Sequence, residues 1–330
     1  MTTKKHNRTA PLVAAFATCV FTTVTAHAQP WYDRHVIFDN SLTPGAYYRS
    51  EGSAVSPSEL DLVKGKFPIE GERCVSPPNC LRLTWLSAHG GDWSMTLDLT
   101  THWGRLNRHG DTLSFWAYSD LEIPADASPL INVRDAAGEG SPSIRLLGAD
   151  RVFPGGKWVR VRLPFASFTS IAQSTSDARF DPSRLVRITI VQGLDEGTRR
   201  TLYLDDVRIS DEDATSDTVA PAAPAGLSAR GFDRHVDLAW TPSAEPDLLH
   251  YKIYRSVDSG LYTAIAIQKG HLARYPDFLG ESGKTASYRI SAVDTRDNES
   301  PQSAAVTAST REMSDDELLT MVQEASFRYY

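Results

Sequence analysis

Short runs in which apolar and polar residues alternate extend over most of this chain, separated by Gly, Pro, Asp and Ser. Alternation with a period of two residues is the pattern of half-buried β-strands. In the first two thirds of the chain it predicts eight strands, at Val36–Phe38, Leu81–Trp85, Trp93–Leu99, Thr112–Tyr118, Ile131–Arg134, Trp158–Leu163, Leu185–Val191 and Thr201–Ile209. About eight strands with few helical stretches indicate a jelly-roll-type β-sandwich over residues 29–211.

The same alternation returns between residues 218 and 311, with no helical stretch between the strands. The alternating positions are Val236, Leu238 and Trp240, then Tyr251, Ile253 and Arg255, then Tyr288, Ile290 and Ala292. This spacing favours a second antiparallel sandwich. The intervening stretch contains acids, small residues and prolines and has nothing to bury, so residues 212–224 are predicted to form an exposed linker.

Residues 314–330 carry the only strong helical signal. Ser314 and Glu317 form a capping box, and Asp315 and Asp316 place negative charge at the positive end of the helix dipole. An apolar face at helical spacing follows, at Leu318, Met321, Val322 and Ala325. Because large aromatic residues then end the chain with nothing after them to bury them, we expect this to be the first helix of a truncated helical domain.

The N-terminus has the pattern of a secretory signal peptide. Lys4, Lys5 and Arg8 precede an apolar run from residue 10 to 24, and Ala26-His27-Ala28 is a small-x-small cleavage pattern. We therefore expect residues 1–28 to be removed near Ala28, leaving a secreted or periplasmic protein. The apolar run is too short for a comfortable membrane span, and Cys19 lies in no lipoprotein box, so no membrane anchor is expected.

Cleavage changes both the charge and the cysteine count. The formal charge of −7 becomes −10 when Lys4, Lys5 and Arg8 are lost. An acidic chain without a basic cluster is a poor partner for nucleic acid or anionic membranes. Cys74 and Cys80 remain, and an even pair in an oxidising compartment predicts a disulfide across a short turn.

Specific stretches add family resemblances to these patterns. Leu238-Ala239-Trp240, Tyr251 to Arg255 and Tyr288 to Asp294 resemble a fibronectin type III module. Leu113 to Trp116, Gly156 to Phe165 and Leu202 to Ile209 resemble the galactose-binding-like β-sandwiches found as carbohydrate-binding modules. The expected fold class is therefore all-β, a galactose-binding-like jelly roll followed by a fibronectin type III sandwich and the first helix of a truncated helical domain.

The terminal helix carries a third resemblance. Its acidic start and the end Phe327-Arg328-Tyr329-Tyr330 resemble the opening of glucoamylase-like glycoside hydrolases, helical-barrel enzymes that include endo-β-1,2-glucanases. The resemblance implies a secreted glycoside hydrolase acting on a β-glucan. An amphipathic C-terminal helix that docks on the preceding domain is the alternative. No catalytic residue of that family can be assigned to a position in this sequence.

Sugar binding requires aromatic rings that stack on pyranose faces and polar groups that bond hydroxyls, usually in a concave site. Trp103 in an apparent loop is the first candidate platform, with Trp85 and Tyr118 as further rings. Asp92 and Arg134 are candidate hydroxyl partners. Each of these tryptophans also fits a core position.

A structural calcium ion is the one cofactor that the sequence suggests, and none is required for function. Ca²⁺ prefers six to eight oxygen ligands. Asp39 near the first strand could meet Asp205 or Asp206 in the last. Adjacent residues of a strand point to opposite faces, so only one of the latter two can face such a site. Exposed carboxylates without a specific role are the alternative.

Catalytic motifs are not recognisable. The sequence contains no His-Glu-x-x-His, no Gly-x-Ser-x-Gly and no phosphate-binding glycine loop. We therefore predict a non-catalytic region of a secreted glycoside hydrolase, with a polysaccharide or oligosaccharide, such as a β-glucan, as partner. A secreted glycan-binding or adhesion protein without enzymatic activity is the alternative. The sequence leaves open whether the chain is itself an enzyme.

Overall fold

The computed structural model describes residues 31–100, 108–148, 151–168, 180–211, 217–258 and 260–329. Strands dominate this part of the chain. Two α-helices lie at its ends, α1 at Trp31–His35 and α2 at Asp315–Tyr329, and three short 3₁₀ helices lie at Ala125–Ala127, Phe165–Phe168 and Pro182–Arg184.

Thirteen strands of the described part form a first unit. They are β1 Val36–Phe38, β2 Ala46–Tyr47, β3 Ser50–Val55, β4 Glu59–Leu60, β5 Phe67–Glu70, β6 Cys80–Leu86, β7 Asp92–Asp98, β8 Thr112–Tyr118, β9 Leu130–Asp135, β10 Ile144–Arg145, β11 Val159–Pro164, β12 Leu185–Val191 and β13 Arg199–Ser210. One sheet has eight strands in the order β11-β8-β13-β6-β5-β2, with β1 added beside β13 and β4 beside β6. The other has five strands in the order β10-β9-β12-β7-β3.

The two sheets of the first unit share one core, and alternation decides which residues enter it. On β7, Trp93, Met95 and Leu97 are buried, whereas Ser94 and Thr96 between them face outward. The eight strands predicted from the sequence all coincide with observed strands. Burying the apolar face of each sheet against the other removes its side chains from water, which stabilises the fold.

A second unit contains the remaining strands. They are β14 Ser228–Gly231, β15 His235–Ala239, β16 Leu248–Val257, β17 Thr263–Lys269, β18 Arg274–Phe278, β19 Thr285–Asp294 and β20 Val306–Ser309. They form sheets in the orders β14-β15-β18 and β17-β16-β19-β20. Trp240 and Tyr251 meet edge to face in its core, with ring centroids 5.0 Å apart, which is a favoured aromatic geometry.

Polar contacts join the two units. Arg208 of β13 is 2.7 Å from Asp297, which follows β19. The amide of Ile267 donates to the carbonyl of Pro77 at 3.1 Å. Arg208 is fully buried and the Asp297 side chain is 24% exposed, so the ion pair between the units is largely shielded from water.

The capping box predicted for α2 is confirmed. The Ser314 amide donates to the Glu317 carboxylate at 3.0 Å, and the Glu317 amide donates to the Ser314 hydroxyl at 3.3 Å. Three large apolar side chains of the helix, Leu319, Val322 and Phe327, are exposed.

The predicted signal segment, residues 1–28, lies outside the described residues. Within the described part, no helix is both long enough and apolar enough to span a membrane.

The disulfide prediction is wrong. Cys74 and Cys80 are both free thiols. The Cys80 Sγ–H donates to the carbonyl of Arg73 at 2.8 Å, so this sulfur is directed at the backbone and not at Cys74. Burial raises the pKa of the Cys74 thiol to about 12 and that of Cys80 further still, so both side chains stay protonated at neutral pH.

Candidate functional site

The outer face of the five-stranded sheet is polar over four adjacent strands. On β7, β12 and β9, buried apolar residues alternate with outward residues that are mostly polar, and on β3 the residues Glu51 and Ser53 face outward. We call a set of residues that lie directly opposite one another across neighbouring strands a rung. Cross-strand neighbours on one face lie about 4.5–5.5 Å apart at Cβ, so a rung brings together side chains that are far apart in sequence.

The pairing register defines the rungs of this face. The middle rung runs from Glu51 on β3 through Thr96 and Thr189 to Asn132. A second rung contains Asp98, Arg187 and Arg134. A third contains Ser53, Ser94, Val191 and Leu130.

A groove of about 470 Å³ lies over the β3 side of this face, and we call it the polar groove. Its lining residues are Tyr48, Arg49, Ser50, Glu51, Gly52, Ser53, Lys66, Ser94, Thr96, Asp98, Thr100 and Arg187. Tyr48 is 56% exposed and supplies an aromatic ring at the edge, with the Arg49 guanidinium 5.4 Å from its ring centroid.

Close approach of the chain gives the groove its floor. Gly52 lies over the core, and a Cβ there would come within 2.5 Å of a Leu62 methyl and 2.8 Å of the Met95 methyl. A larger residue would require the Leu62 and Met95 side chains to shift. Glycine at this position leaves room for those two side chains beneath β3.

Hydrogen bonds within the groove order some of its side chains. The Thr96 and Thr189 hydroxyls lie 3.2 Å apart, and those of Ser53 and Ser94 lie 3.3 Å apart. The Asp98 carboxylate accepts from the Thr100 amide at 2.9 Å and from its hydroxyl at 2.7 Å. Hydroxyls, carboxylates, cations and one exposed ring together suit a neutral ligand rich in hydroxyl groups.

The sequence-predicted sugar-binding residues do not form one cluster. Asp92 and Arg134 share the outer face of the five-stranded sheet, but neither lines the polar groove. Tyr118 lies on the outer face of the other sheet. Trp85 is 2% exposed and packs against Trp93 in the core, so its ring offers no face to a ligand. Trp103 lies outside the described residues.

The predicted calcium ligands are engaged with protein groups. The Asp205 carboxylate accepts from the amides of Val75 and Ser76 at 2.7 and 2.8 Å. Asp206 is ion-paired with Arg160 at 2.7 Å. These two carboxylates have different partners, and the strand is irregular between them, since Asp206 has a φ of 44°.

Asp39 lies within electrostatic reach of Asp206. Burial, and secondarily the negative charge of Asp206, raise the pKa of Asp39 to about 7. A calcium site formed by Asp39 with Asp205 or Asp206 stays a prediction.

A different set of carboxylates comes together in the second unit. One ligand oxygen from each of Asp217, Asp247 and Asp294 lies within 4.8 Å of the others. Burial, followed by the charges of Asp294 and Asp217, raises the pKa of Asp247. Oxygen donors of this kind are those that Ca²⁺ prefers. The sequence analysis missed this group because its members come from three separate loops or strand ends.

The groove residues were also missed. Tyr48, Glu51 and Arg187 were not singled out because each is an ordinary polar or aromatic residue in its local context. The available signal was the outward half of the alternation on the predicted strands, which places Ser94, Thr96 and Asp98 on one face.

Comparison with known proteins identifies a homologue. No protein-family model matches the chain. The chain is 35% identical over 300 residues to an exo β-1,2-glucooligosaccharide sophorohydrolase (non-reducing end) of Parabacteroides distasonis, and the match covers 91% of this chain and 41% of that protein. The crystal structure of a β-1,2-glucanase from the same species matches with a TM-score of 0.79 and 34% identity, over 92% of this chain and 42% of that one. The chain thus spans about two fifths of the length of these relatives.

A smaller module gives a much weaker match. A family 11 carbohydrate-binding module from Clostridium thermocellum aligns with 54% of this chain at 12% identity and a TM-score of 0.34, which carries no argument.

These comparisons overturn the predicted fold class. The structural similarity runs across both units to a single β-1,2-glucanase chain, with a TM-score of 0.79. The assignment to a galactose-binding-like jelly roll, a fibronectin type III sandwich and a truncated helical domain is therefore wrong. Many antiparallel proteins share short alternating strands, so the pattern defines the strands but not the family to which they belong. What stands is a mostly β structure with several sheets.

The functional prediction is also wrong. It described a non-catalytic region, with a glycan-binding or adhesion protein lacking activity as the alternative. The relative that matches nine tenths of this chain is instead named for hydrolysis of β-1,2-glucooligosaccharides. At this identity and coverage, the chain is a homologue of a glycoside hydrolase.

Proposed function

We propose that the protein is a glycoside hydrolase that acts on β-1,2-linked glucooligosaccharides, and that the polar groove binds the glucan. The observation that carries the proposal is the groove itself, about 470 Å³ in volume and lined by hydroxyl, carboxylate and guanidinium groups. It lies in a chain homologous to a hydrolase whose name specifies this class of substrate.

Each kind of groove residue has a role that its chemistry allows. Tyr48, at the edge, stacks on the apolar face of a glucose ring. Arg187 donates hydrogen bonds to hydroxyls, whereas the carboxylates of Glu51 and Asp98 accept them. Because Glu51, Asp98 and Arg187 stand on strands of one sheet, the groove is largely formed before the ligand arrives, which reduces the entropy cost of binding.

Hydrolysis is tested directly. The protein is incubated with β-1,2-linked glucooligosaccharides, and the products are separated by chromatography. Release of the disaccharide sophorose is the expected result, and cellooligosaccharides, with β-1,4 linkages, serve as the control and should remain intact. Absence of any cleavage of the β-1,2-linked substrates would overturn the proposed activity.

Arg187→Ala is expected to weaken glucan binding by about 10-fold or more, since a hydrogen bond to a charged group contributes roughly 1.5–3 kcal/mol. The dissociation constant for sophorose is measured by calorimetry. Arg134→Ala is the matched control, because Arg134 lies beside Arg187 in the same rung but does not line the groove. Equal losses in both variants would show that binding is not centred on the groove.

A further inference from the structure

A row of aromatic side chains lies on the other side of the first unit, on the outer face of the eight-stranded sheet. Tyr203 of β13 is directly opposite Tyr118 of β8. Val159 pairs with Ala117, so Trp158, one residue earlier, extends the row beyond Tyr118. Arg82 of β6 is opposite Tyr203 and ends the row of aromatic side chains. We call Trp158, Tyr118 and Tyr203 the aromatic rung.

The Tyr118 ring contacts the other two rings, and all three are half-buried. The ring centroids of Tyr118 and Trp158 are 5.5 Å apart, and those of Tyr118 and Tyr203 are 6.0 Å apart. The neighbours of Tyr203 along its strand, Leu202 and Leu204, belong to the core, so Tyr203 faces away from it. The aromatic rung is therefore outside the core of this unit.

The rings do not lie in one plane. Tyr118 is tilted by 48° to Trp158 and by 61° to Tyr203, so the surface they form is faceted. A flat ribbon cannot lie against every facet of such a surface at once. A chain whose successive sugar rings are tilted relative to one another can.

A charged side chain lies over two of the rings. The Arg73 guanidinium is 5.4 Å from the Tyr118 ring centroid and 5.9 Å from that of Tyr203. Arg73 is also paired with Asp120, and the side chains of this pair are 44% and 56% exposed. The Tyr118 hydroxyl lies 3.3 Å from both partners. Donors and acceptors thus lie directly against the aromatic surface, within reach of the hydroxyls of a sugar.

The backbone that carries Arg73 is held in place. The Asp205 carboxylate accepts from the amides of Val75 and Ser76, and the Cys80 thiol donates to the Arg73 carbonyl. Asp205 is fully buried. The guanidinium is therefore exposed on a fixed support beside the rings, and little ordering is needed when it bonds a ligand.

We propose that the aromatic rung is a second glycan-binding surface, which takes β-1,2-linked glucose residues. The rings stack on the apolar faces of the sugars, and Arg73 and Asp120 bond their hydroxyls. The choice of glycan rests on the proposed function. A 1,2 linkage joins adjacent carbons of a ring and makes the chain turn at each residue, whereas a 1,4 linkage joins opposite ends and leaves it straight. The faceted rung fits the turning chain.

The test is an NMR titration of the whole chain with sophorose, which has one β-1,2 linkage and would not be cleaved further. Amide signals near Tyr203 and near Arg187 should shift as two separate sets. Tyr203→Ala and Trp158→Ala should raise the dissociation constant at the rung about 10-fold and leave the groove signals unchanged. Arg187→Ala should do the reverse. Cellobiose, with its β-1,4 linkage, should bind the rung more weakly.

A conservative variant separates binding from folding. Tyr203→Phe keeps the ring and should bind sophorose within about 2-fold of the original protein. The proposal is overturned if signals near the aromatic rung do not shift in the original protein. It is also overturned if these signals shift as much in Tyr203→Ala and Trp158→Ala as in the original protein. Hydrolysis is scored separately. If sophorose binds at the aromatic rung but no glucan is cleaved, only the proposed activity is contradicted. If glucan is cleaved but nothing binds at the aromatic rung, only the second binding surface is contradicted.

Discussion

Asp206→Asn is expected to lower the free energy of unfolding by about 3–5 kcal/mol, because it leaves buried arginines without their shared counter-charge. The Asp206 carboxylate is 2.7 Å from Arg160 and 3.3 Å from Arg208, and all three side chains are almost fully buried. Burial, and next the charge of Arg208, already lower the pKa of Arg160. Urea unfolding followed by circular dichroism measures the change.

The choice of asparagine isolates the charge. Asp206 has a φ of 44°, in the left-handed region, which asparagine tolerates and most other residues do not. Glu59→Gln is the control, since Glu59 pairs with Arg199 at the surface with both side chains about half-exposed. Loss of an exposed pair should cost at most about 1 kcal/mol. Similar small losses in both variants would show that Asp206 is not essential to the buried network.

Stability is expected to depend on His250 as the pH falls. His250 on β16 is 6% exposed, and burial, followed by the charges of Lys252 and Arg208, lowers its pKa to about 3. Between pH 6.5 and 3, the unfolded chain takes up a proton at this residue that the folded chain does not. The contribution of His250 is therefore complete above pH 6.5 and is lost as the pH falls toward 3.

The size of this effect follows from linkage. Each pH unit within the window costs about 1.4 kcal/mol, so about 2–3 kcal/mol is lost between pH 6.5 and 4.5. Unfolding by urea at these two pH values is compared for the original protein and for His250→Gln, which cannot take up the proton. The difference between the two pH values should shrink by that amount in the variant.

Two features of the chain make the comparison specific. Asp39, with its pKa raised to about 7, acts in the opposite direction and stabilises the folded state as the pH falls from 7 toward 4. The comparison with the variant removes this background, because both proteins contain Asp39. His271 is exposed, and His271→Gln should leave the pH dependence unchanged. An unchanged dependence in His250→Gln would contradict the prediction.

The positions of some strands, but not of all, could be predicted from the local pattern of apolar and polar residues. β7, β8 and β12 alternate clearly and were predicted. β3 was missed, since its sequence Ser-Glu-Gly-Ser-Ala-Val has almost no apolar residue to mark an inward face. It is a strand because its backbone pairs with β7 along six residues. Pairing with a distant segment is a tertiary property that propensity does not reveal.

Which residues lie together in the candidate sites depends even more strongly on the pairing register of the strands. Tyr118 was recognised from sequence as a candidate ring, yet its neighbours Trp158 and Tyr203 lie 40 and 85 residues away in the sequence. Arg187 and Glu51 lie on one groove for the same reason. The prediction of a disulfide between Cys74 and Cys80 was wrong although the two residues are close in sequence, because a short separation does not orient two sulfur atoms toward each other.

By itself the sequence determined the mostly β character, the inward face of the marked strands and the capping box of α2. These are properties of side chains one to four residues apart, which the periods of strands and helices place on a common face. The tertiary structure decided which strands are neighbours, and with them the polar groove, the aromatic rung and the buried arginine network around Asp206. A sheet joins its strands through backbone hydrogen bonds that nearly every residue can make, so register follows from packing the whole core at once.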